Sequence, residues 1–245
     1  MKRAFVFSWD IVLYPLLFVL CIWTVYWFEL KFHFNFNTYG VFPREWHGLT
    51  GVLLSPFIHG SLEHLYNNSI PLFLLGLALF YFYRDIAWKV LLYGILISGL
   101  LTWIIARPAY HIGASGIIYV LSFFLFFKGI FSKNYRLIAV SLIIVFIYGS
   151  LVWGLFPQEK NISWEGHSAG AIAGLLLSLA FYNYNPKPEI DINPKVTYDE
   201  NDPFLQQFDE HGNFISAENL PKENDETNLS EDIEIRYDYR EKKKE

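Results

Sequence analysis

Cysteine is almost absent. The single residue, Cys21, lies in an apolar run and cannot form an intrachain disulfide, so the fold does not rest on oxidation. Membrane packing is its expected role. Charge is scarce too, at 18% of residues, and no basic patch is present that would suit a nucleic acid. The formal net charge of -5 comes mostly from acidic residues between Glu189 and Glu226 and carries little information about partners. There is no repeat of solenoid length and no His-Glu-x-x-His zinc signature. No small-residue cleavage site follows Met1-Lys2-Arg3, so the long run Ile11–Phe28 reads as a retained anchor helix rather than a signal peptide.

What the chain has is apolar length. Residues 1–182 hold nearly all the long hydrophobic runs, and the rest is polar. This divides the chain into a membrane domain, 1–185, and an acidic, flexible cytoplasmic tail, 186–245. Within the tail, Asp199–Phe208 is a candidate short helix and Arg240–Glu245 a solvated charge run. A span needs about twenty apolar residues. Six candidates follow: Ile11–Phe28, Leu62–Tyr83, Trp88–Ala106, Ser115–Phe127, Leu137–Phe156 and His167–Tyr182. Pro15 is tolerated inside a membrane helix. The aromatic loop Glu29–Ser61 reads as an interfacial segment with a short helix near Arg44–Leu54. Lys2, Arg3, Arg84, Lys89, Lys128, Lys133, Arg136 and Lys187 fall on one side, which places both termini in the cytoplasm. The fold class expected is therefore an all-α membrane protein of six transmembrane helices.

With this topology the second, fourth and sixth helices all start on the outer side. His64 and Asn68 begin one, Ser115 the next and His167 the last, so the polar residues of three helices share one level. The fourth run, at thirteen residues, reaches roughly 20 Å, short of a core of about 30 Å. Its start then lies below the surface, beside a dipping loop, Arg107–Gly113, where a water-filled cavity is needed. Serine is a poor nucleophile without a base, and a neutral imidazole can take its proton. Gly113 and Gly116, with the series Gly166, Gly170 and Gly174, allow the two helices to close on each other. That brings Ser115 to His167. No carboxylate lies at this level, since Glu63 begins a helix and Glu165 falls in a loop. Tyr119, one turn below Ser115, can hold the imidazole ring instead. His64, the Asn68 amide and the Ser115 N–H are candidate oxyanion donors.

Each residue also has a plainer reading. Ser115 and Tyr119 suit helix packing. His64 and His167 taken singly suit a structural hydrogen bond or a metal, with His59 and His111 as further ligands in a zinc site. The motifs taken together resemble the rhomboid intramembrane serine proteases. The matching residues are His59-Gly-Ser-Leu-Glu-His64-Leu-Tyr-Asn-Asn68, Gly113-Ala-Ser115-Gly116 with Tyr119, and His167-Ser-Ala-Gly170 with Gly174. The resemblance spans about 40–180. It implies a six-helix rhomboid bundle, Ser115 as nucleophile, His167 as base, His64 and Asn68 at the oxyanion hole, and Tyr119 stacked on the histidine. It implies single-pass transmembrane proteins as substrates, no cofactor and no metal, and a bacterial inner membrane as the location. The alternatives are an inactive rhomboid-like binding protein and a metal-dependent membrane hydrolase.

Overall fold

Ser61 opens the longest helix of the protein. Its extended backbone and its side chain, which accepts the His64 N–H at 3.1 Å, cap α2, Leu62–Ile105. The structure is a computed structural model; it describes residues 8–133, 135–147, 153–157, 163–184, 204, 207–209 and 212–215. The other named helices are α1 (Asp10–Phe32), α3 (Ser115–Phe131), α4 (Tyr135–Ile147) and α5 (Trp164–Ala180). Both α1 and α2 are long and apolar enough to cross a membrane; α3 is a shorter apolar helix.

Two separate helices were expected over 62–106. The observed stretch is one helical run broken at a single residue, Tyr83, with φ -131° and ψ 34°. The break reverses the chain. His64 and Ser98 both neighbour the 113–116 turn, although thirty-four residues of straight helix would hold them about 51 Å apart. The two arms therefore form a hairpin with almost no loop. Helix α1 runs antiparallel to the first arm: Trp23 donates to Ser69 Oγ at 2.9 Å near one end, and Tyr14 packs on Phe80 near the other. Cys21 faces outward from α1.

Other boundaries differ from expectation for identifiable reasons. Helix α3 continues to Phe131, seventeen residues or about 26 Å. Helix α5 starts at Trp164, because Ser163 caps it by accepting the Gly166 N–H. Glu165 is thus in a helical first turn rather than a loop. The fifth run does not stay helical to Phe156, since Gly154–Phe156 form a turn; 148–152 lie outside the described residues. The loop after α1 carries 3₁₀ turns at Phe36–Tyr39, Trp46–Thr50 and Ser55–Phe57, with a helical turn at Gly51–Leu54, close to the short helix expected there.

At the end of the bundle remote from Ser115, Lys128 is fully buried. Its ammonium donates to the carbonyls of Phe181, Tyr182 and Tyr184 at 2.9, 3.1 and 2.6 Å, tying α3 to the turn after α5. Lys128→Met keeps the stem but strands three carbonyls. It should cost about 3 kcal/mol, read as a lowered melting temperature in detergent.

The chain divides into two compact units, Met1–Ile190 and Asp191–Glu245. In the second, the helix expected over 199–208 does not extend to its end. Phe208 pairs with Phe214 in a bridge around a turn, where the Asp209 carboxylate accepts the Asn213 N–H and Gly212 takes φ 78°. Local Asp, Gly and Asn turn chemistry outweighs helix propensity there.

Candidate active site

The seam between α3 and α5 is built from backbone. A Cβ on Gly170 would overlap the Gly116 carbonyl oxygen, and one on Gly174 would overlap that of Val120. Two helices packed this closely bring short side chains on either side of the seam into contact. Ser115 Oγ lies 2.9 Å from His167 Nε2. The Tyr119 ring stacks on the imidazole, with centroids 4.5 Å apart and planes at 19°. The other ring nitrogen, Nδ1, lies 2.9 Å from the Gly154 carbonyl oxygen. A carbonyl can only accept, so the proton sits on Nδ1. The Nε2 lone pair then faces Ser115 and takes its O–H.

Gly113 turns the chain into α3 with φ 108°, a conformation that suits glycine. A Cβ there would lie 2.6 Å from Cε1 and Nε2 of His64, so the His64 ring rests against the turn. Asn68 is buried one turn on and donates to the His64 carbonyl at 2.8 Å, which leaves one amide hydrogen for another acceptor. No side chain caps α3. The Ser115, Gly116 and Ile117 N–H groups precede its first internal bond, Ile118 N–H to Ala114 O, and present a donor-rich, electropositive helix end.

Beside Ser115 lies a cavity of about 40 Å³, room for a few waters. Its polar lining includes Ser55, Ser98, Thr102, His111 and Ser163. Of these, His111 falls in the loop Arg107–Gly113 that the sequence places beside a cavity, whereas Ser55, Ser98, Thr102, Ser163 and the Gly154 carbonyl carry no such signal. Only the Ser163-x-Glu165 pattern hints at a helix start there.

Two of the histidines named for zinc, His59 and His111, make hydrogen bonds within the protein. His59 Nε2 accepts the Ala114 N–H at 3.3 Å. His111 Nε2 faces the Arg107 carbonyl at 3.0 Å and its Nδ1 the Ser163 hydroxyl at 2.5 Å. Among the described residues no three His, Cys, Asp or Glu side chains converge as a metal-ligand group. Burial, reinforced by the adjacent His64, pushes His59 from 6.5 down to about 4. The unfolded chain therefore binds the extra proton first. The stabilisation is complete above pH 6.5 and is lost as pH falls from there through 4. Expected is an acid-side loss of about 3 kcal/mol, seen in melting temperature against pH, with a shallower slope in His59→Gln.

Comparison with known proteins agrees with this geometry: residues 45–184 match the Rhomboid domain family. The chain belongs to the rhomboid family. Rhomboid proteins are in general intramembrane serine proteases, and this member carries helices that fit a membrane. Among similar proteins are uncharacterised proteins of Mycobacterium tuberculosis and Mycobacterium bovis, each 35% identical over 153 residues, which is 56% of this chain and 61% of the relative. An uncharacterised Mycobacterium leprae protein is 31% identical over 144 residues, covering 52% of this chain and 54% of the relative. The rhomboid chain thus spans a little over half the length of these relatives.

Proposed function

We propose that this rhomboid is an active intramembrane endopeptidase that cuts single-pass membrane proteins, with Ser115 as nucleophile and His167 as general base. The observation that carries it is the fixed histidine tautomer: Nδ1–H on the Gly154 carbonyl and a bare Nε2 at 2.9 Å from Ser115 Oγ. On attack, Oγ bonds the scissile carbonyl carbon and its proton moves to Nε2. The imidazolium is then held by Gly154 O where other serine hydrolases use a carboxylate. Tyr119 keeps the ring in plane. The oxyanion falls at the α3 N-terminus, with the backbone N–H groups there, the His64 ring and the remaining Asn68 amide hydrogen as donors. Nε2 returns the proton to the leaving amine, and water from the polar cavity repeats the sequence on the acyl-enzyme.

The reading includes six spans, counting the two arms of α2 separately. It also includes cytoplasmic termini, a membrane domain over 1–185, a cytoplasmic tail over 186–245 and a bacterial inner membrane. A fluorophosphonate probe tests it. Labelling at Ser115 that is lost in Ser115→Ala and indifferent to chelators, with cleavage of a single-pass reporter, is the expected result. Absent labelling with an intact reporter would instead identify a rhomboid-like binding protein, and loss of activity on chelation a metal enzyme.

A further inference from the structure

His111 is a buried titratable side chain that the chemistry above does not use. All of its hydrogen-bonding capacity is nonetheless assigned. The Arg107 carbonyl can only accept, so Nε2 carries the proton and Nδ1 accepts the Ser163 O–H. The Ser163 oxygen in turn accepts the Gly166 N–H at 3.2 Å. The bond therefore has a defined direction from the α5 cap into the loop before α3.

Its place in the chain is as informative as its geometry. His111 precedes Ser115 by four residues and Ser163 precedes His167 by four. Both pairs are separated by 52 positions, two rungs joining the same two strands of chain. Each rung is anchored at its ends. His111 exchanges both backbone hydrogen bonds with Val41 at 2.9 Å, and the Gly113 N–H donates to Ser55 O. The His167 N–H donates to Ser163 O. A second tie crosses the same gap, Arg107 to the buried Glu165 at 3.4 Å. The glycine seam below lets the helices approach but offers few side-chain interlocks to fix how far one slides along the other. A directed polar bond one turn above supplies that register.

We propose that the His111–Ser163 hydrogen bond is a positioning clasp that sets the separation of Ser115 and His167, a role that rests on the dyad reading above. His111 lines the water cavity, but its ring bonds go to Ser163 and the Arg107 carbonyl, not to Ser115 or His167. It acts by holding the loop that delivers Ser115 against the cap of the helix that delivers His167. A misplacement of about 1 Å at such a site lowers turnover on the order of 10²-fold, and a loss of this kind falls on kcat rather than KM.

The test uses the full chain in detergent, reading kcat, KM, fluorophosphonate labelling rate and melting temperature. His111→Phe keeps a ring of similar size and removes both bonds. It should lower kcat and labelling by about 10²-fold with KM unchanged, and His111→Gln, which can still accept from Ser163, should recover most of the loss. Ser163→Ala against Ser163→Thr repeats the comparison from the other side and decides the matter if His111→Phe does not fold. Wild-type kcat and labelling in both His111→Phe and Ser163→Ala would overturn the clasp. So would losses that follow melting temperature alone, with Gln no better than Phe. A wild type that neither labels nor cleaves would overturn the dyad and the clasp together, whereas a labelling wild type with indifferent variants removes the clasp only.

Discussion

His167→Ala should lower kcat on the order of 10⁴-fold or more while leaving the melting temperature within a few degrees of wild type. The asymmetry follows from what the imidazole touches. Its two nitrogens face Ser115 and the Gly154 carbonyl, and one face lies on Tyr119. Tyr119 belongs to the apolar core, but the imidazole does not; that core and the α3–α5 seam, which stay in place without the ring, hold the bundle together. Removing the ring leaves Ser115 with no proton acceptor and a leaving amine with no donor, so both halves of the reaction fail. Ser115→Ala should match it, and the double variant should be no worse than either, because the two side chains act as one unit. Kinetics on a single-pass reporter, with melting curves on the same samples, checks the whole statement. Equal losses of activity and stability in His167→Ala would assign the histidine to the scaffold.

Gly170→Ala should be nearly as damaging by a different route. The added methyl meets the Gly116 carbonyl oxygen, with Tyr119 Cβ 2.9 Å away. Both obstacles are fixed to the α3 backbone, so no rotamer change relieves them, and α5 must move away from α3. The same movement draws His167 from Ser115 and unstacks Tyr119. Turnover should fall by 10²-fold or more, and stability by about 1–3 kcal/mol for the overpacked seam. Gly60→Ala is the control: its Cβ would meet only Ile112 Cδ1 at 3.5 Å, an ordinary contact, and should leave both quantities unchanged.

These expectations separate what the sequence displays from what it hides. Ser115 with Tyr119, and Gly166 with Gly170 and Gly174, sit at helical spacing, so their shared faces could be read directly. Their common level with His64 followed from counting spans. The Gly154 carbonyl could not be read, because it belongs to the backbone and carries no residue-type signal. The start of α5 lies three residues before the expected His167 and takes in Glu165, because the cap at Ser163 acts through one side-chain bond, whereas hydrophobic periodicity begins only later. The reversal at Tyr83 is expected as a connection between two helices, which Arg84 and Lys89 flank; what the residues do not display is that a single non-helical residue makes the whole turn. In the tail, the helix expected over Asp199–Phe208 gives way at Phe208 to a bridge with Phe214, closed by the Asp209–Asn213 turn just beyond it, whose hydrogen bonds are local.

The knot of carbonyls around Lys128 makes the bundle mechanically lopsided. It pins α3 to the end of α5 at one extreme with three charge-assisted bonds, while the other extreme is held by the Gly116–Gly170 seam and the polar contacts around Ser115. Thirteen residues of helix separate the two, a lever arm of roughly 20 Å. A pivot of only about 3° at the pinned end swings the far end by about 1 Å, a displacement that lowers turnover on the order of 10²-fold. Small tilts of α5 about the Lys128 knot would therefore be magnified at the Ser115–His167 pair.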